Sequence, residues 1–120
     1  MQTINIGQCF SLDPSGRFYS DDSGASGEQF REEHLLPALQ NLQPGEKIIV
    51  ILDDGPESYG SSFLTEGFAG IVKYGYMEAR PLLDALEIEY TDPDYEFFEK
   101  KIKKYISEAK FASKDYKSTK

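Results

Sequence analysis

Residues 48–72 read IIVILDDGPESYGSSFLTEGFAGIV. Ile48 to Leu52 are five apolar residues in a row, four of them β-branched. The run is too short for an ordinary helix and predicts a central strand covered on both faces. Asp53 and Asp54 end it, at the carboxyl end of a strand, where sites collect in open α/β sheets. Gly55, Pro56 and Gly60 make the following segment a loop. A helix is then expected to open near Ser61 or Ser62, burying Leu64, Phe68, Ile71 and Val72. Gly67 and Gly70 each cost about 1 kcal/mol relative to Ala inside a helix. Close approach of this helix to the sheet is the expected reason for them. Gly75 should stop the helix.

The pattern extends in both directions. Upstream, TINI at residues 3–6 alternates polar and apolar and predicts a short strand. Arg17 to Ser20 is a short extended piece set in turn chemistry, able to pair with it. Ser26 has Gln29 three residues on, the spacing of a capping box. The helix it opens carries Phe30, His34, Leu35, Ala38 and Leu39, with a kink or early end expected at Pro37. Downstream, Pro81 predicts a short helix through Ala85, and LEIEY, residues 86–90, a strand with one wet face. Asp92 and Pro93 open the clearest amphipathic helix, striped by Tyr95, Phe98, Ile102, Tyr105, Ile106 and Ala109. The element order is β-β-α-β-α-β-α. It predicts one α/β domain over residues 1–110, a mixed sheet of about four strands with helices packed against it, and a lysine-rich, flexible tail over 111–120.

Composition narrows the function. At 120 residues and 39% hydrophobic content the chain suits one domain without a disulfide or metal. Cys9 is the only cysteine. No apolar run reaches the roughly 18 residues that span a bilayer, and MQTINIGQCF has no signal-peptide pattern. A cytoplasmic location follows as the expectation. Residues 1–99 hold 5 basic and 19 acidic residues, a charge of −14, while residues 100–120 hold 8 basic and 2 acidic, a charge of +6. The body would repel a nucleic-acid backbone.

Enzyme chemistry has little to build on. The single histidine, His34, lies on a packed helix face, and nothing in the spacing joins it to Cys9 or to a serine triad. No catalytic residue, metal or cofactor is expected. Asp53, Asp54 and Glu57 could hold a hard cation with waters, which keeps a metal-dependent hydrolase as a remote alternative. Arg17 and Arg31 flank the glycine- and serine-rich segment 16–27 and are candidates for binding an anion or nucleotide. Ser61 and Ser62 admit two readings. A serine there can cap the helix. It can also carry a phosphate, which a helix N-terminus favours.

Three pieces together, Gly16-Arg17, SGEQFREEHLLPAL (26–39) and YGSSFLTEGFAG (59–70), resemble the STAS-like family of small bacterial domains. The likeness runs from about Phe10 to Glu89. That family is related in fold to the STAS domains of anti-sigma factor antagonists, which carry Asp-Ser-Ser-Gly-Leu at the start of the helix after the central strand. There, a partner kinase of the histidine-kinase-like ATPase fold phosphorylates one serine and dissociates the complex. Here the stretch is GSSFL: Ser61 and Ser62 match the serine pair, Ser62 the phosphoacceptor, and Leu64 the leucine. Gly60 stands where those domains have aspartate, and Phe63 where they have glycine. The resemblance implies a non-enzymatic signalling module that binds a protein partner, with such an ATPase as the candidate, through a surface with Asp53, Asp54, Glu57, Tyr59, Gly60 and Phe63.

Overall fold

Strand β2, Ile48–Ile51, is the middle of the sheet, as its unbroken apolar run predicts. β1, Gln2–Asn5, and β3, Leu86–Glu89, pair with it on either side, both parallel. The register sets Ile4, Val50 and Ile88 in one row. The computed structural model describes residues 2–21 and 24–120. Asp22 and Ser23, part of the glycine- and serine-rich segment, lie outside the described residues, as does Met1.

The sheet therefore has three strands, all parallel, where a mixed sheet of four was expected. The missing strand is Arg17–Ser20, which forms a turn. Asp21 Oδ2 accepts from the Arg17 amide at 2.7 Å and the Phe18 amide at 3.0 Å. Gly16 takes the positive φ of 84° that starts the turn. Amides tied to a neighbouring carboxylate are not free to form a ladder. The cover also differs from expectation. Ile48 and Val50 are fully buried, but Ile49 and Ile51 are only half-buried. Their row neighbours Thr3, Glu87 and Glu89 are exposed, so one face of the sheet is wet at its margins.

Five helices complete the described residues. α1 is the single turn Ile6–Cys9. α2 spans 27–40 as an α-helical start Gly27–Phe30, a wide π-turn Arg31–Leu35 and an α-helical end Leu36–Gln40. α3 spans 61–73 with the same plan: Ser61–Leu64, a π-turn Thr65–Ala69, then Gly70–Lys73. α4 is Ala79–Ala85. α5 spans 93–108, a 3-10 turn Pro93–Tyr95 running into Glu96–Glu108.

Pro37 does not end α2. The π-turn closes with the Leu36 amide on the Arg31 carbonyl, which places Pro37 at the start of the last α-helical segment, where its missing donor costs little. Ser26 caps α2, accepting from the Gln29 amide at 3.1 Å, and Asp92 caps α5 through the Asp94 amide. Gly75, at φ 82°, turns the chain out of α3.

The glycines of α3 face another helix, not the sheet. A Cβ on Gly67 would stand 3.2 Å from the Phe30 ring, and one on Gly27 would stand 2.6 Å from the Phe63 carbonyl oxygen. Backbones of α2 and α3 thus approach where Gly27 and Gly67 meet. Around that crossing Phe10, Phe30, Phe63 and Phe68 make a ring cluster with centroids 5.4–5.9 Å apart. The radius of gyration, 13.1 Å, fits one folded domain of this length, for which about 13–14 Å is usual. Residues 111–120, the lysine-rich tail, have no regular secondary structure and lie against the body.

Candidate functional site

The serine pair opens α3, but neither serine caps it. Gly60 occupies the cap position in an extended conformation and has no side chain with which to cap the first turn. The first intrahelical bond is Leu64 N to Gly60 O at 3.1 Å. The amides of Ser61, Ser62 and Phe63 thus precede the helical ladder, as the first donors of any helix do. Ser61 is exposed and Ser62 half-buried.

An open cleft of about 490 Å³ lies at this helix end, lined by Gly16, Arg17, Phe18, Asp21, Gly60, Ser61 and Ser62. Its far wall is the turn 16–21. That turn is docked onto the start of α2, where the Gly16 carbonyl accepts from the Gly27 amide at 3.1 Å and the Arg17 carbonyl from the Glu28 amide at 2.9 Å. Two orphan donors of α2 are satisfied this way, and Arg17 is aimed at α3. Its Nη2 donates to Ser62 Oγ at 3.4 Å, and its Nη1 lies 3.9 Å from Glu66 Oε1.

Glu66, one turn below Ser62, belongs to a buried ion network. Arg31 Nη1 donates to Glu66 Oε2 at 2.9 Å and to the Glu66 carbonyl at 2.8 Å. Arg31 Nε donates to Glu32 Oε2 at 2.8 Å, and the Tyr74 hydroxyl donates to Glu66 Oε2. Arg31 and Glu66 side chains have no solvent exposure. Burial disfavours the Arg31 charge, yet its bonds to Glu32 and Glu66 outweigh that and hold its pKa above the ordinary value. Gly70 makes the room, since a Cβ there would stand 2.5 Å from Arg31 Nη1. The guanidinium lies against the rings of both Tyr74 and Tyr116, 4.6 and 4.9 Å from their centroids, and the two rings meet edge to face at 5.4 Å. Arg31 Nη2 and Glu66 Oε1 have no hydrogen-bond partner among the described residues. The Oε1 charge is instead faced by Arg17 and by Lys73, at 3.8 Å.

Arg17 and Arg31, paired as anion candidates, are thus separated in role. Arg31 is committed to Glu66 and Glu32, and Arg17 reaches the cleft. The expected partner surface is divided too. Tyr59 and Phe63 are buried and not at a surface. Phe63 packs in the ring cluster, and the Tyr59 hydroxyl donates to the Leu52 carbonyl at 2.6 Å. A phenylalanine on the inner face of α3 has no other way to leave water.

Asp53, Asp54 and Glu57 are not part of the cleft lining. Asp53 Oδ2 accepts from Thr91 N, Thr91 Oγ1 and Asp92 N at 2.7–2.9 Å. Desolvation raises its pKa, but these donors win and leave it below the ordinary carboxylate value. Asp54 accepts from Asn5 Nδ2 at 2.7 Å, and Glu57 is exposed. Among the described residues no group of three or more His, Cys, Asp or Glu could hold a metal ion. Cys9 is exposed and free, and His34 packs its ring edge-on to Phe10 at 5.3 Å.

The Arg31–Glu66 pair is the main feature that sequence reasoning missed. A signal existed: both charges stand on buried helical stripes beside glycines, Gly27–Arg31 on α2 and Glu66–Gly70 on α3, each at i,i+4 spacing. No helix among the described residues is long and apolar enough to cross a membrane. No family model matches the chain, and no curated protein or solved structure matches it.

Proposed function

We propose that this chain is a non-enzymatic regulatory module of STAS-like type, which binds a protein partner around Ser62 and is switched by phosphorylation of that serine. The observation that carries the reading is Arg17 Nη2 at 3.4 Å from Ser62 Oγ, beside a helix end that no side chain caps. A phosphoryl group adds about −1.5 to −2 charges at neutral pH. On Ser62 it would meet the Arg17 guanidinium and the first-turn amides, both suited to an anion. Asp21 at the cleft and the acidic body would make the modified face repel an acidic partner. The resemblance of GSSFL to the serine motif of anti-sigma factor antagonists favours a histidine-kinase-like ATPase as that partner and supports a bacterial cytoplasmic setting for the pair. The test is incubation with such an ATPase and ATP, followed by phosphopeptide mass spectrometry and a pull-down. A Ser62 phosphopeptide and loss of the complex in Ser62→Asp support the reading. No phosphopeptide, and a complex indifferent to Ser62→Asp, refute it.

A second reading uses the same cleft for a small anion or nucleotide, with Arg17 as its cation. It is favoured by the openness of the cleft at Ser61 and Ser62. A thermal-shift screen against nucleotides and inorganic phosphate decides, because ligand at 100 times its Kd stabilises the fold by about 2.7 kcal/mol. A flat screen removes this reading.

A further inference from the structure

Residues 112–120 lie on the body through polar contacts. The Ala112 amide donates to the Val72 carbonyl at 3.0 Å and the Lys114 amide to the Lys73 carbonyl at 3.1 Å. The Tyr116 ring then closes over the Arg31 guanidinium beside Tyr74, the two rings meeting edge to face at 5.4 Å. Its hydroxyl donates to Glu28 Oε2 at 2.6 Å. Thr119 donates to the same carboxylate twice, from its amide at 3.1 Å and its hydroxyl at 2.6 Å. Every residue of this segment except Tyr116 is exposed. A segment held by a few polar contacts and little apolar burial belongs to the part of a fold that opens at low free-energy cost.

Its anchor is shared with the turn that walls the Ser62 cleft. Glu28 Oε1 also accepts from the Tyr19 amide at 3.0 Å, and the Ser20 amide donates to Thr119 Oγ1 at 3.1 Å. One short turn therefore touches both places. Arg17, Phe18 and Asp21 line the cleft, while Tyr19 and Ser20 clasp the tail. Asp21 holds the turn together by accepting from the Arg17 and Phe18 amides. The Asp21 amide also donates to the Phe18 carbonyl at 2.9 Å, so residues 17–21 form one hydrogen-bonded turn.

We infer that residues 112–120 are a releasable strap, loosened when negative charge on Ser62 draws Arg17 from Glu66 and moves the turn 16–21 off Glu28 and Thr119. In the present arrangement Arg17 is shared between Ser62 Oγ and Glu66 Oε1. An anion bonded to Ser62 competes for that guanidinium with a stronger, charge-assisted bond. Release uncovers Tyr74, Arg31 and Glu28, which the strap now covers. As a biological switch the inference rests on the Ser62 reading above, but the mechanical link is measurable without any kinase.

The experiment is amide hydrogen exchange on the full chain, comparing wild type with Ser62→Glu, Arg17→Gln, the double variant and Thr119→Val. In wild type the Ala112, Lys114 and Thr119 amides exchange more slowly than in a free peptide. Ser62→Glu speeds them by about tenfold and leaves Ile48–Ile51 unchanged, as a local opening should. In the Arg17→Gln background Ser62→Glu adds nothing, because the residue that carries the pull is gone. Thr119→Val, a change at an exposed position that leaves the core untouched, speeds the strap and the Ser20 amide together. Free-peptide rates in wild type overturn the inference. So do strap rates unmoved by Ser62→Glu, or an acceleration spread equally over β2. Failure of the phosphorylation reading appears separately, as a missing Ser62 phosphopeptide, and leaves these rates unaffected.

Discussion

Arg31 and Glu66 meet at 2.9 Å, both side chains without exposure, where the π-turns of α2 and α3 face each other. Each charge is tolerable inside the protein because it is paired, and the other is its shortest fully buried ionic partner. Arg31→Met therefore leaves Glu66 buried with fewer partners and should cost about 3–5 kcal/mol. The double variant Arg31→Met, Glu66→Leu removes both charges. It should cost clearly less than the sum of the single changes, since neighbours in one network are not additive. Urea denaturation of the four proteins measures the coupling. Strict additivity would show that the pair does not interact.

The helix that starts at Ser61 offers a second test. Because neither serine caps it, Ser61→Ala and Ser62→Ala should each change stability by no more than about 0.5 kcal/mol, against about 1 kcal/mol for a lost cap. Gly60→Asp puts an acceptor at the true cap position, where an added Cβ meets nothing nearer than 3.7 Å. It should stabilise the fold by a few tenths to about 1 kcal/mol through the cap and the helix dipole. Thermal melts of the three variants check this. A loss near 1 kcal/mol in Ser62→Ala would restore the capping role.

Much of this architecture was legible in short stretches of the sequence. The apolar run Ile48–Leu52 predicted the central strand, Gly75 the end of α3, and Ser26 and Asp92 the caps of α2 and α5. Those are local signals, carried by a residue and its near neighbours. The failures were tertiary. Arg17–Ser20 has the composition of a strand, but the Asp21 carboxylate takes its amides. Phe63 looks like a surface substitution in the serine motif until α2 lies over it. At the site, Ser62 and Arg17 were both singled out, yet only the fold brings them together across 45 residues.

The crossing of α2 on α3 depends on two missing Cβ atoms. Gly27→Ala would set a methyl 2.6 Å from the Phe63 carbonyl oxygen and 2.8 Å from the Gly67 amide nitrogen. Both are backbone atoms, so the helices must part to relieve the clash. A loss of at least about 2 kcal/mol is expected, within the range of overpacking effects. Chemical denaturation gives the number, and a neutral result would mean that the helices cross elsewhere.

Asp53, just past the carboxyl end of β2, sets an acid limit. Its carboxylate accepts from both amides of the 91–92 turn and from the Thr91 hydroxyl. Burial works against the charged form, but the bonds outweigh it, so its folded pKa lies below the unfolded one. A carboxyl depressed on folding stabilises the native state above its unfolded pKa, about 3.9, and loses that contribution as pH falls through the lower folded value. Tyr59 and Tyr95, the titratable neighbours that sense this charge, have raised pKa values and stay neutral throughout that window. Asp53→Asn should therefore cost about 1 kcal/mol at neutral pH, a modest figure because the site is partly solvated. The gap to wild type should hold from about pH 7 to pH 5 and narrow as pH is lowered toward about 2. Urea midpoints across that range make the measurement. A gap that persists unchanged in acid would show that Asp53 acts by shape and not by charge.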